Sequence, residues 1–379
     1  MKVAHVNYLP TYLSGVKNKI IAQANAAYIE NINIDFFILN SKIELTENNI
    51  YYKKIQFNEK EIFKAIQQKL FRYKIIEALI PFKEYDCIIL RYPLAMGFGM
   101  KSFYRKWGKM IVTEHHTIEE NELKFYFKNR LLSLACSLIE KKNKHYISQY
   151  TLGMIGVTNE IVMSNPKPYR KKMITNGFDI TSVNISSRPQ YNKVFNMIFI
   201  ASRFAIWHGL DRVIDSAQKY SGPKKINIKL VGKILNRNTL AKLKSFKNQW
   251  INFELMGTKN NDQLDNIYLD THLGISSMGL YNIGLQEACV LKTREYIARG
   301  IPFIYGYQDS DLSGKEVFAY QATQDDNLIN FNEVIDFYID LVKNDDYQSK
   351  MKKFALDNID MRVKIKEMWD FTNGISILN

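Results

Sequence analysis

Apolar runs the length of single strands alternate with helix-length stretches twice over, with one polar gap between the two series. Lys2 to Tyr8 reads as a buried strand, Leu13-Ser14-Gly15-Val16-Lys17 as a glycine turn, Lys19 to Glu30 as an amphipathic helix and Ile34 to Leu39 as a second strand. That order opens a doubly wound α/β domain, whose ligand crevice lies beyond the strand C-termini, so Ser14 and Gly15 should face it. Further strands are expected at Asp86–Tyr92, Lys109–Thr113, Gly153–Val157 and Lys172–Thr175. Two helices are expected between them, Glu59–Ile80 with an apolar stripe at helical spacing and the long Ile118–Lys141. Residues Ile180 to Asn192 lack periodicity and are rich in Ser, Asn and Arg, as a linker is. The alternation then restarts, with strands at Val194–Ala201, Ile226–Val231, Ile251–Met256 and His272–Ser276. Helices fall between them at Trp207–Tyr220, Asn236–Phe246 and Asp262–Leu269. Three helices close the chain, at Asn332–Val342, Asp346–Asp357 and Val363–Asn373, the last beyond any sheet partner. At 379 residues the chain is too long for one ordinary core and suits two. The expected division is 1–182, a linker 183–193, 194–358, and a terminal helix 359–379 that packs back on the first domain.

Chemistry concentrates between Gly284 and Tyr305. Glu287 and Glu295 bracket seven residues, and a helix that begins near Leu291 holds the second of them. Gly300 and Pro302 stop that helix, as a glycine just past a helix end and a nearby proline do. Lys292, Thr293 and Arg294 crowd its first turn. Cations there oppose the helix dipole, so they make sense when an anion binds the N-terminus. A second concentration is Glu114-His115-His116 at a strand end; adjacent residues of an extended chain point to opposite sides, so only one histidine can face the crevice. Asp309-Ser310-Asp311 has the spelling of a metal-binding Asp-x-Asp but follows a strand late in the chain, where a turn is the better reading. Gly97-Phe98-Gly99 lacks the third glycine and the acidic partner of a dinucleotide fingerprint.

Composition narrows the class. The net charge is +14, and Met1–Val183 carries 27 Lys+Arg against 16 Asp+Glu, so the first half holds most of the excess. Basic residues mix with aromatics at Lys101–Lys109 and Lys124–Lys128, and Lys167–Lys172 is a further basic cluster. Such a surface suits an anionic membrane or nucleic acid, and a solvated basic face is the plain alternative. The basic residues form no recognisable nucleic-acid recognition element. No apolar run is long enough for a transmembrane helix, and the N-terminus enters a strand without a signal-like core. Cys87, Cys136 and Cys289 are scattered, odd in number and set in apolar surroundings, as reduced buried thiols in a cytosolic protein are.

The ordered set of motifs resembles the family-4 retaining glycosyltransferases, which have the GT-B fold of two Rossmann-like domains facing across a cleft. Glu287 and Glu295 match the family's Glu-x7-Glu, and Ala298-Arg299-Gly300-Ile301-Pro302 its Ala-x-Gly-x-Pro. Ser202-Arg203-Phe204, Gly209-Leu210-Asp211 and Asn176-Gly177-Phe178-Asp179 match, in order, its Gly-Arg-Leu, Lys-Gly-x-Asp and Asn-Gly-Val-Asp. The resemblance implies a nucleoside-diphosphate sugar held mainly by the second domain. Glu295 would accept from the ribose hydroxyls and Glu287 would bind the transferred sugar. Peptide N–H groups around Val290, Leu291, Lys292 and Thr293 would hold the diphosphate. Arg203 would neutralise the departing phosphate, His115 would lie near the reacting carbon, and Gly15 would let the backbone approach. His208 stands where the family has lysine, which weakens the positive charge there, and Lys292 is a candidate to supply it.

The implied activity is metal-independent retaining transfer, without a cofactor, from a UDP- or GDP-sugar to a hydroxyl of a bacterial surface-polysaccharide precursor. That precursor is expected to be lipid-diphosphate-linked, and the enzyme to be cytoplasmic and peripheral on the inner membrane face. An epimerase or hydrolase of the same fold, or a non-catalytic nucleotide-sugar or polyanion binder, are the rivals; product analysis separates them, since only a transferase needs a sugar acceptor.

Overall fold

Val3, Ala4, His5, Val6 and Asn7 are all buried, which places β1 (Val3–Tyr8) inside a sheet covered on both faces. In the computed structural model, residues 1–9, 14–40, 49–56, 61–126, 129–165, 170–186, 189, 191 and 193–376 are described. The chain divides into two compact units, Met1–Gly177 with Met361–Asn379, and Phe178–Asp360.

The first unit runs β1, α1 (Ser14–Ile29), β2 (Ile34–Asn40), β3 (Ile50–Lys54), α2 (Glu61–Leu70), α3 (Arg72–Leu79), β4 (Cys87–Arg91) and α4 (Met100–Trp107). It continues with β5 (Ile111–His115), α5 (Glu119–Tyr126), α6 (Arg130–Ser148), β6 (Gly153–Gly156), α7 (Asn159–Met163) and β7 (Lys171–Met173). Seven parallel strands lie in the order β3-β2-β1-β4-β5-β6-β7. The order reverses between β1 and β4, so the crevice of this sheet opens at their C-terminal ends.

Both long helices expected here are broken, each for a local reason. The carbonyl of Leu70 accepts the N–H of Phe98 (2.6 Å), which takes it out of a continuing helix and separates α2 from α3. Asn129 accepts from the N–H groups of Leu131 and Leu132 (3.0 and 3.1 Å), an N-cap that starts α6 afresh after α5. Leu13, Glu59, Lys60, Phe127, Lys128, Lys167, Pro168, Tyr169, Ser187, Arg188, Gln190 and Asn192 of the expected segments lie outside the described residues.

The second unit runs β8 (Val194–Phe204), α8 (Leu210–Lys219), β9 (Lys225–Ile234), α9 (Arg237–Ser245), β10 (Ile251–Gly257), α10 (Asn261–Tyr268) and β11 (Leu273–Ile275). Then come β12 (Glu287–Ala288), α11 (Leu291–Arg299), β13 (Phe303–Tyr305), β14 (Gln308–Asp309), β15 (Ala319–Gln321), α12 (Phe331–Val342) and α13 (Tyr347–Phe354). Six parallel strands are ordered β10-β9-β8-β11-β13-β15, with the reversal between β8 and β11; β12 and β14 pair separately. Phe195, Met197 and Phe199 of β8 bury alternate side chains against Leu210, Val213 and Ala217 of α8 and Val334, Ile335 and Tyr338 of α12. β8 runs on to Phe204 through a register shift after Ile200, so Arg203 is a strand residue and not the start of a loop.

The last helix, α14 (Met361–Ser376), belongs to the first unit. Met361, Ile365, Met368 and Ile375 are buried in one cluster with Ile20, Ala24 and Ala27 of α1. The fit at Gly177, where α14 begins, is tight: a Cβ there would lie 3.0 Å from the Met361 Cα. Among the described residues no helix is long and apolar enough to cross a membrane. No disulfide links the three cysteines, and Cys136 is partly exposed where a buried thiol was expected.

Candidate functional site

In the second unit the stretch from Gly284 to Tyr305 is organised by the hydroxyls and charges beneath it. Thr293 is fully buried, and its hydroxyl meets Ser276 (2.8 Å) and Tyr307 (2.7 Å), which are themselves 3.1 Å apart. Its N–H donates to the carbonyl of Val290 (3.1 Å). Thr293 therefore anchors the helix start from below instead of presenting a group to a ligand. Arg294 is buried and paired with Asp309 and Asp311; its Nη2 lies 2.7 Å from Asp309 Oδ1. The carboxylates of the Asp-x-Asp spelling are thus a structural clamp that ties α11 to β14. Gly300 caps α11 at φ 69°, the left-handed stop expected of it.

The N-terminus of α11 is left open. Val290 is the N-cap and offers no side-chain acceptor, and the N–H groups of Leu291 and Lys292 are first-turn donors with no intrahelical partner. Beside them stands Lys292. Its Nζ is inaccessible to solvent, has no hydrogen-bond partner among the described residues, and sits 5.0 Å from the centre of the Phe199 ring. Burial pushes this ammonium down from 10.5 to about 7. An unpaired buried cation at an uncapped helix N-terminus is unfavourable until an anion arrives.

His208 completes this corner. The N–H of Ala205 donates to its Nδ1 (2.9 Å), so the neutral ring must carry its proton on Nε2. Burial first, and Lys292 second, push His208 down to about 2. His208 is therefore a neutral N–H donor, and the cation beside it is Lys292 of α11. Gly209 follows at φ 71°, and its Cβ would lie 2.5 Å from the Met278 carbonyl carbon; His208 O accepts the N–H of Met278 (2.9 Å). This close approach joins the loops after β8 and β11 at the switch point of the sheet.

Glu295, one turn along α11, is held by Arg299 Nε (3.0 Å), and Arg299 also reaches Asp265 (2.6 Å) and covers the Tyr268 ring. Burial raises its carboxyl and Arg299 opposes the rise. Glu287 is half-buried in β12, in register with Gln308. Arg203 is exposed at the end of β8. A cavity of about 430 Å³ is lined by residues of the Phe204–Leu210 segment. Asp211, Asp215 and Asp326 line it with a single cation, Arg212, and none of Arg203, Glu287, Lys292 or Glu295 does.

In the first unit the strand ends gather a buried charged network. Glu114 lies 2.9 Å from His5 Nε2, 3.4 Å from Lys19 Nζ and 3.2 Å from His116 Nε2. Burial works against ionisation there, but Lys19, His116 and His5 outweigh it and hold Glu114 well below the usual carboxylate range. His115 turns the other way. It is 1% exposed, donates from Nδ1 to the Glu119 carboxylate (2.8 Å) and stacks on Tyr92 at 4.3 Å. His116, with Arg91, Tyr92, Glu114 and Glu119, lines a cavity of about 310 Å³. Between the two adjacent histidines, the open side of the strand end is given to His116, and His115 lies beneath it. Gly15 stands in the first turn of α1, where a Cβ would meet nothing within 4 Å, so packing within the unit does not demand glycine there. Sequence reasoning singled out the Glu114-His115-His116 run at the end of β5 but gave a site role to His115 alone; Lys19 and Arg91 enter by tertiary placement alone.

Two parallel sheets with these strand orders, in one chain whose last helix returns to the first unit, are the GT-B class of fold. No family model matches the sequence, and comparison with curated proteins finds no match. Solved structures do match along the whole chain. Sucrose-phosphate synthase from Thermosynechococcus elongatus is 10% identical with a TM-score of 0.71, and covers 100% of each chain. WaaG, a glycosyltransferase involved in lipopolysaccharide biosynthesis, is 11% identical at TM-score 0.64, over 98% of this chain and 100% of its own. HepE of Anabaena, solved in complex with UDP and glucose, is 13% identical at 0.63, over 98% of each. At such identities the likeness is one of fold, that of GT-B glycosyltransferases.

Proposed function

We propose that this protein is a metal-independent, retaining glycosyltransferase that takes its sugar from a nucleoside-diphosphate sugar. The observation that carries the reading is the unpartnered Lys292 ammonium at the uncapped start of α11, with the Nε2–H of His208 beside it. Breaking the bond between sugar and diphosphate builds negative charge on the leaving phosphate. Lys292, His208, the first N–H groups of α11 and the exposed Arg203 are donors and cations suited to that charge. Glu295 is the ribose acceptor in this reading and Glu287 the partner of the sugar hydroxyls. The UDP and glucose in the HepE structure favour a UDP-sugar over a GDP-sugar.

The acceptor is a hydroxyl of a surface-polysaccharide precursor carried on a lipid diphosphate, bound by the first unit at the inner face of the plasma membrane. Support comes from charge: that unit has 30 Lys+Arg against 17 Asp+Glu, whereas the second has 22 against 21. The test is a panel of UDP-, GDP- and other nucleotide-sugars scored by thermal stabilisation, followed by product analysis with a glycan acceptor. Stabilisation by one nucleotide class and acceptor-dependent release of nucleoside diphosphate are expected. A panel without any stabilising member, or product formed equally without acceptor, would remove the transferase reading.

A further inference from the structure

Helix α6 is built inside out. Its buried residues are Ser133, Ser137, Glu140, Lys144, Ile147 and Ser148, mostly polar. Each polar group is answered within the unit. Ser133 donates to the carbonyl of Leu123 (2.6 Å) and Ser137 to that of Glu120 (2.7 Å). Glu140 accepts from the Ala95 N–H (2.8 Å) and the Tyr92 hydroxyl (2.9 Å), and Lys144 pairs with Glu120 (2.6 Å) and Glu119 (3.2 Å). The outer face is apolar instead: Leu131 is 80% exposed, Leu138 59% and Leu134 51%, with Leu132 and Ile139 close to half. Leu131, Leu134 and Leu138 fall within about 60° of one another around the helix axis. The five side chains together present on the order of 500 Å² of surface, at the upper end of what a monomer leaves to water. A helix in a soluble unit normally turns such a stripe inward.

Charge says what covers it. Arg130, Lys141 and Lys142 are exposed on the same helix, whose one acid, Glu140, is buried. At the far end Lys101 and Arg105 of α4 gather on Tyr146, Arg105 Nε at 2.9 Å from the hydroxyl and Lys101 Nζ at 5.4 Å from the ring centre. An apolar ridge edged by cations and free of acids fits the headgroup boundary of an anionic bilayer, where leucines enter the acyl region and lysines stay among the phosphates. A second copy of the same face would set cation against cation.

We infer that the outer face of α6 is the membrane-binding surface of this protein and that an anionic lipid bilayer covers it. The inverted helix stands by itself; the choice of a bilayer rests in part on the reading of the first unit as the acceptor half. The experiment is flotation of the full chain with vesicles of phosphatidylcholine alone and of phosphatidylcholine with phosphatidylglycerol. Wild type is expected to bind the anionic vesicles. Leu131→Gln/Leu134→Gln/Leu138→Gln weakens that binding by on the order of 10²-fold or more, and Lys141→Gln/Lys142→Gln by on the order of tenfold, only on anionic vesicles. Both variants keep the melting temperature and the nucleotide-sugar stabilisation of wild type, because the changed side chains lie in solvent; Leu131→Gln alone serves if the triple variant melts early. Undiminished flotation of the leucine variants overturns the inference. So does light scattering that shows a wild-type dimer which the triple variant turns into a monomer, for then a second copy covers the face. Loss of flotation with nucleotide-sugar stabilisation intact separates this surface from the donor site.

Discussion

Replacing Lys292 with methionine should move the free and the liganded protein in opposite directions. Its ammonium is buried, faces the Phe199 ring and lacks a counter-ion among the described residues. Burial lowers its pKa from 10.5 to about 7. The unfolded chain therefore binds more protons than the folded one between those two values, and stability rises with pH across that window. Below about pH 7 both states are protonated and the whole penalty is present. It amounts to a few kcal/mol, because each tenfold loss of proton affinity on folding costs ~1.4 kcal/mol. Methionine keeps the length and removes the charge, so Lys292→Met should melt higher than wild type at pH 6, by a smaller margin at pH 9, and converge with it only as pH passes 10.5.

Ligand binding should respond in the other sense. A diphosphate beside Lys292 favours the ammonium, so wild type takes up a proton on binding UDP or GDP above neutral pH, and its affinity falls as pH rises. In Lys292→Met the uptake disappears and affinity drops by roughly ten- to a hundredfold, the value of a hydrogen bond to a charged group. Calorimetry in two buffers of different ionisation enthalpy counts the protons directly. The assignment is refuted by a variant that binds nucleotide as tightly as wild type, or by wild-type binding that takes up no proton at pH 8.

Other substitutions divide the site. Arg203→Ala should leave nucleotide binding within a few-fold and lower turnover by on the order of 10²-fold, read from kcat against KM. Glu295→Ala should instead weaken nucleotide binding; equal, unchanged kinetics in both variants would sink these roles. Arg294→Met leaves Asp309 and Asp311 buried without their cation and should destabilise the protein by ~3–5 kcal/mol in denaturant titration. Gly209→Ala combines a left-handed φ with a backbone clash at Met278, and should lower the melting temperature more than an alanine at open Gly15. A Gly15→Ala variant that melts like wild type but binds donor more weakly would show that the first unit uses that open space for ligand.

The strand-and-helix alternation, the stop at Gly300-Ile301-Pro302 and the basic first turn of α11 were all legible in the chain. Each is local: period, cap and stop signals act over a few residues, so their spacing alone carries them. The tertiary structure decided which of those residues meet. Thr293 and Arg294 share the first turn with Lys292, yet they go to Ser276, Tyr307, Asp309 and Asp311, partners 14 to 17 residues away in the chain. His115 and His116 have identical side chains, and only the placement of Tyr92 and Glu119 against one and Glu114 against the other sets their roles. α6 read as an ordinary helix because periodicity reports a stripe without its direction. Its polar face turned inward once α5 and the loop after β4 supplied Glu119, Glu120 and the Ala95 N–H to meet it. Long-range partners fix direction, since a buried polar group is tolerated only where another part of the chain satisfies it.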